Sequence, residues 1–115
     1  LVRLSGTIEF QAPGAHSGSA TVYVRLLDTS IADRDALVIA EHRFQINLGD
    51  DPSPAFSLEV PVERIHANRR YEISALVDLD GDGEISVGDF YSTRATIVNP
   101  RSSAEHISIP VTRIR

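Results

Sequence analysis

Apolar and polar residues alternate with period two along most of this chain, and turn-forming residues interrupt the alternation at short intervals. Such a pattern turns one side of an extended strand toward a core and the other toward water. Val22, Val24 and Leu26 fall on one face, with Thr21, Tyr23 and Arg25 on the other. Val38, Ala40, His42, Phe44 and Ile46 likewise oppose Ile39, Glu41, Arg43 and Gln45, predicting a long strand with the first set buried. Phe56, Leu58 and Val60 make a third stripe, and Tyr71, Ile73, Ala75 and Val77 a fourth, against Glu72, Ser74 and Leu76. Ile107, Ile109 and Val111 alternate with His106 and Ser108 near the end. With the runs 4–10 and 90–98 the total is about seven strands.

Pro13-Gly14, Gly18, the polar stretch 28–35, Gly49-Asp50-Asp51-Pro52 and Asn99-Pro100 all fall between these runs. No segment carries a sustained helical stripe. Residues 62–68 are long enough only for a turn or a short 3₁₀ piece. The expected fold is therefore all-β, a single antiparallel β-sandwich of immunoglobulin or transthyretin type filling residues 1–115. At 115 residues one core can form without covalent staples, so the absence of cysteine raises no stability problem. It does exclude disulfides, thiolate nucleophiles and sulfur-ligated zinc. No run approaches the roughly 20 apolar residues of a membrane helix, so no span is expected in this fragment. The chain starts at Leu1 and contains no methionine, which suggests a processed or truncated piece whose signal peptide or lipid anchor would lie upstream.

Charge sharpens the picture at one place. The chain holds 11 basic and 16 acidic residues, and residues 78–89 alone hold Asp78, Asp80, Asp82, Glu84 and Asp89 with no base among them. The remainder has 11 of each sign, so nucleic acid is not an expected partner and a divalent cation is. The spacing matches the twelve-residue calcium loop of EF-hands. Asp78, Asp80 and Asp82 stand at loop positions 1, 3 and 5, where carboxylates converge on a hard cation. Gly83 stands at position 6, where a positive φ is needed. Glu84 at position 7 offers its carbonyl, Ile85 is the expected apolar anchor, Ser86 at position 9 binds directly or through water, and Asp89 closes the loop. Asp is one methylene shorter than the usual Glu at position 12, which weakens bidentate closure. The metal-site expectation is thus Ca²⁺ held by Asp78, Asp80, Asp82, Glu84, Ser86 and Asp89, on a β-hairpin instead of between helices. The competing account is an ion-free acidic turn, since Asp and Gly are what turns prefer.

Other constellations are weaker. His16, His42, His66 and His106 have no metal-pair spacing, and His42 reads as a hydrogen-bonded core or rim residue. No nucleophile elbow or phosphate-binding glycine loop occurs, so no catalytic residue is assigned and no enzyme is expected. Arg64, Arg69 and Arg70 bracket a turn, a solvated rim in the ordinary case and an anion or partner site in the rarer one.

The segments Leu4-Ser-Gly-Thr-Ile8, 21–28, Thr29-Ser-Ile-Ala-Asp33, Leu37-Val-Ile-Ala-Glu41, 56–61 and Tyr71-Glu-Ile-Ser-Ala75 run in an order that resembles the YbaY/YscW-type bacterial lipoproteins. The resemblance implies an exported β-sandwich module in the cell envelope, often tethered to the outer membrane by a lipidated cysteine that this fragment lacks. It also implies kinship with pilotin-like lipoproteins that assist assembly of secretion pores. The loop core itself is similar to the helix-free calcium loops of dockerin repeats, which work where calcium is millimolar and a site of Kd roughly 10⁻⁴–10⁻³ M is filled. Two functional expectations result. The first is a non-enzymatic extracytoplasmic interaction module with one structural Ca²⁺; the second is a pilotin or chaperone-like domain that binds a protein partner at a sheet edge, the cation being incidental.

Overall fold

In a computed structural model of the chain, residues 2–11, 18–31, 36–49, 53–81, 83–92, 94 and 96–114 are described. The expected turn at Pro13-Gly14, most of Gly49-Asp50-Asp51-Pro52, His16 and the expected ligand Asp82 lie outside them. The fold is all-β. Its strands are β1 (Val2–Phe10), β2 (Gly18–Asp28), β3 (Leu37–Leu48), β4 (Ala55–Val60), β5 (Tyr71–Asp78), β6 (Phe90–Tyr91), β7 (Thr96–Val98) and β8 (Ala104–Arg113). A 3₁₀ turn at Val62–Arg64 stands where the sequence predicts one.

The expected sandwich differs from the observed sheet in three ways. Hydrogen bonding follows one path, β3-β2-β5-β6-β8-β1-β4, with β7 on the side of β5, instead of dividing into two sheets. The two-residue strand β6 makes the joint, pairing Val77 with Phe90 on one side and Phe90 with Arg113 on the other. The ends of the path, β3 and β4, come up against each other with no ladder between them among the described residues, which gives a nearly closed, barrel-like wrap. Second, β8 runs parallel to β1, so the sheet is not wholly antiparallel. Third, the run 90–98 is two strands. Against β5 it registers as Leu76↔Tyr91 and then Ile73↔Thr96, a register shift of two residues. Ser92 stays tied to β5: its N–H donates to the Ala75 carbonyl and its Oγ accepts the Ala75 N–H, both at 3.1 Å.

The core collects the predicted faces of β1, β2, β4, β5 and β8, while the central strand β5 is buried on its other face too, at Ser74 and Leu76. Leu4, Ile8, Val22, Val24, Leu26, Phe56, Leu58, Val60, Ile73, Ala75, Val77, Phe90, Ile109 and Val111 are all buried. Each large aliphatic or aromatic side chain taken out of water contributes about 1.5–3 kcal/mol before chain entropy is charged against it. β3 departs from the expected pattern. Leu26 faces Ala40 but Leu27 faces Val38, so Ile39 is an extra residue on β3. A bulge of one residue reverses the facing of everything beyond it. Ile39 consequently turns inward and Val38, expected inside, is 46% exposed. His42, on the same face and read from the sequence as a core or rim residue, is exposed and stacks on Phe44, with ring centroids 5.4 Å apart.

Candidate functional site

β5 carries a chemically distinct group at each end. Its last residue, Asp78, and the last residue of the following loop, Asp89, are buried, because antiparallel pairing of β5 with β6 draws the two loop ends together under the hairpin. The loop 79–89 therefore sits on a β-hairpin, as its sequence context predicts. Gly83 takes φ 73°, the left-handed value expected at the sixth loop position, and Gly81 and Gly88 are left-handed too.

Both buried carboxylates are satisfied by the loop backbone. Asp78 accepts the N–H groups of Gly81 at 3.0 Å and Gly83 at 2.7 Å. Asp89 accepts those of Leu79 at 2.9 Å and Ser86 at 3.1 Å. The Ser86 hydroxyl lies 2.8 Å from Asp80 Oδ2 and 2.9 Å from Asp89 Oδ2, and its one proton can serve only one of them at a time. Burial pushes the Asp78 carboxyl above its ordinary range; contact with Asp80 and the charge of Asp89 push the same way, against the two glycine N–H groups.

Oxygen atoms of Asp78, Asp80 and Asp89 lie within 4.8 Å of one another, the one such group of candidate metal ligands among the described residues. Two oxygens bound to one Ca²⁺ at about 2.4 Å can stand at most about 4.8 Å apart, so this spacing is compatible with a shared ion. The structure thus brings together Asp78, Asp80, Asp89 and Ser86. Glu84 is exposed, as a residue contributing only its carbonyl would be. Ile85, expected as the apolar anchor, is 51% exposed.

The opposite end of β5 holds a cleft of about 380 Å³ between the turn 66–70 and the segment 97–101. Its lining includes His66, Arg69, Arg70, Tyr71, Ile97 and Arg101. Pairing of Tyr71 with Val98 is what brings these two segments side by side. The turn is held by a Tyr71 hydroxyl that accepts the His66 N–H at 2.8 Å, and by Arg70, whose N–H donates to Ser30 Oγ at 2.7 Å and whose carbonyl accepts the Thr29 N–H. Asn68 reverses the chain with φ 68°. The sequence marks Arg69 and Arg70 but gives no sign that Arg101 joins them. Arg64, grouped with them by sequence, is instead spent on β3, donating to the Ile39 carbonyl at 2.6 Å.

Comparison with known proteins agrees with this architecture. No curated protein matches the chain. The chain is similar to a solved structure described as an alternative pilotin from the type II secretion system of Vibrio cholerae, with 26% identity and a TM-score of 0.79. The match covers 98% of this chain and 96% of that one. A family model described as type III secretion system lipoprotein chaperone (YscW) matches residues 1–105. The chain belongs to the YscW family of type III secretion lipoprotein chaperones.

Proposed function

We propose that this chain is a pilotin-like, non-enzymatic lipoprotein chaperone domain of the cell envelope, binding a protein component of a secretion system at an edge of its sheet. The observation that carries the reading is the coincidence of the family match over residues 1–105 with an end-to-end structural likeness to a pilotin. The sheet offers the means. The outer edge of β7 has no ladder partner among the described residues, and a free edge presents backbone donors and acceptors to an incoming strand. The test is co-expression with the secretion-pore subunit of the host and measurement of complex formation. Ile97→Pro, which removes a backbone donor from β7, probes that edge, while Asp80→Asn and Asp82→Asn alter only the acidic loop. Binding that survives both loop variants and falls with the edge variant supports the reading. Binding lost on altering the loop and indifferent to the edge overturns it.

A second reading has one observation in its favour, the 4.8 Å convergence of Asp78, Asp80 and Asp89. In it a divalent cation, Ca²⁺ first, is held by these carboxylates with Ser86, Asp82 and the Glu84 carbonyl, and stabilises the hairpin. Thermal melts in chelator, in millimolar calcium and in magnesium test it. A calcium-specific rise in midpoint that Asp80→Asn abolishes and Glu84→Gln leaves intact supports the site. No shift with either ion makes residues 78–89 an acidic turn closed by its own hydrogen bonds.

A further inference from the structure

We infer that the cleft at the β5 start is the docking site for an acidic, partly apolar segment of the protein partner, laid along the outer edge of β7. The inference rests on the chaperone reading above and gives its partner a chemistry. Four observations carry it. All eleven basic residues of the chain are arginines, with no lysine, in a protein of net charge −5. Three of them, Arg69, Arg70 and Arg101, together with His66, line this one cleft. Their internal pairing is loose: Arg69 stands 3.5 Å from Asp28, Arg70 stands 4.0 Å from Glu72, and Arg101 has no carboxylate partner among the described residues. Finally, Ile97 on β7 is 61% exposed in the cleft wall, beside an edge whose inner side alone is paired, to β5.

These features complement one class of occupant. A guanidinium fork matches a carboxylate bidentately, and it is less strongly hydrated than an ammonium, so it suits a site that partner binding will partly desolvate. An extended segment pairing with the β7 edge would alternate its side chains. Acidic residues would meet the arginines, and apolar ones would cover Ile97. The remote acidic loop 78–89, at the far end of an eight-residue strand, repels the same segment and orients its approach. Exposed Ile97 with its arginine border is the apolar centre and charged rim that a small interface needs.

The probe is a fluorescein-labelled octapeptide alternating Glu with Ile, compared with versions carrying Gln or Lys in place of Glu. Anisotropy is read on the wild-type chain, on Arg70→Gln/Arg101→Gln, on Ile97→Ser, and on Arg3→Gln, whose guanidinium pairs with Glu59 away from the cleft. Expected are binding of the Glu peptide alone, weakening by about tenfold or more in the double variant and in high salt, and a change under about twofold in Arg3→Gln. Chemical-shift changes confined to residues 66–71 and 97–101 would locate the contact. Equal binding of the Lys peptide, or undiminished binding by the folded double variant, overturns the inference. Co-purification of the host pore subunit separates the two levels: if wild type and double variant capture it equally, the cleft assignment fails and the chaperone reading stands. If wild type captures none, the chaperone reading itself fails.

Discussion

Gly6 and the pair Asp78 and Asp89 show how single positions constrain this fold. A Cβ on Gly6 would overlap the carbonyl oxygen of Ile107, because β8 carries a bulge there and presses its backbone onto β1. His106 supplies the extra residue, in the left-handed region at φ 63°. Backbone cannot swing aside as a flexible side chain can. Gly6→Ala should therefore destabilise by about 3 kcal/mol, the upper end of overpacking costs, read as a lowered urea midpoint at unchanged slope. Asp89 is constrained by hydrogen bonds instead. Its removal leaves the N–H groups of Leu79 and Ser86 without their acceptor. Asp89→Ala should cost about 1–3 kcal/mol even in chelator, because that loss exists with or without a cation; equal stability of variant and wild type in chelator would refute it.

At the scale of elements, the β2–β3 hairpin is fastened on its solvent face by charge. Arg25 Nε donates to Glu41 at 2.7 Å and Arg43 lies 3.4 Å from the other carboxylate oxygen, while both guanidiniums cover the ring of Tyr23 at 5.0 and 5.3 Å. That cover explains why Tyr23, on the water-facing side of β2 by alternation, is buried. The hydrogen bond from Arg25, more than any other cause, holds the Glu41 carboxyl below its ordinary 4.5. A carboxylate with a lowered folded value stabilises the fold above its unfolded value, and the contribution disappears as pH falls through the folded one. Glu41→Gln should cost about 0.5 kcal/mol near neutral pH, the partly exposed pair being screened by solvent, and progressively less as pH falls through the lowered folded value. Denaturation at neutral and at acid pH tests the sign: a cost that grows on acidification would contradict it.

For the whole molecule, the decisive position is Phe90. It is fully buried, it belongs to the two-residue strand that joins the β2–β3–β5 half of the sheet to the β1–β4–β8 half, and its ring meets Phe10 edge-on at 4.9 Å. Phe90→Ala should destabilise by about 3–5 kcal/mol, more than truncation of any core residue serving one half alone. Hydrogen exchange checks the mechanism, with protection expected to fall in β6 and the end of β8 ahead of β2. The same through-running sheet separates the two charged ends. β5 begins at the arginine cleft and finishes at the acidic loop, so one strand sets both groups and the distance between them.

Alternation alone determined the all-β class, the inward faces of β2, β4 and β5, and the 3₁₀ turn, because these depend on side-chain period and local turn chemistry. The left-handed Gly83 and the convergence of Asp78, Asp80 and Asp89 were legible for the same reason: these residues are close in sequence, and a short loop has few ways to fold. Tertiary structure decided the rest. The bulges at Ile39 and His106 turn on backbone register between paired strands, consecutive ones for Ile39 and the first and last of the chain for His106, which side-chain period does not record. The parallel pairing of β1 with β8 and the wrap through β6 depend on which edges meet. The cleft exists only because pairing of β7 with β5 sets Arg101 beside Arg69 and Arg70 across thirty residues of chain. Local periodicity specifies how a strand faces, whereas the choice of neighbours is made by packing the whole core at once.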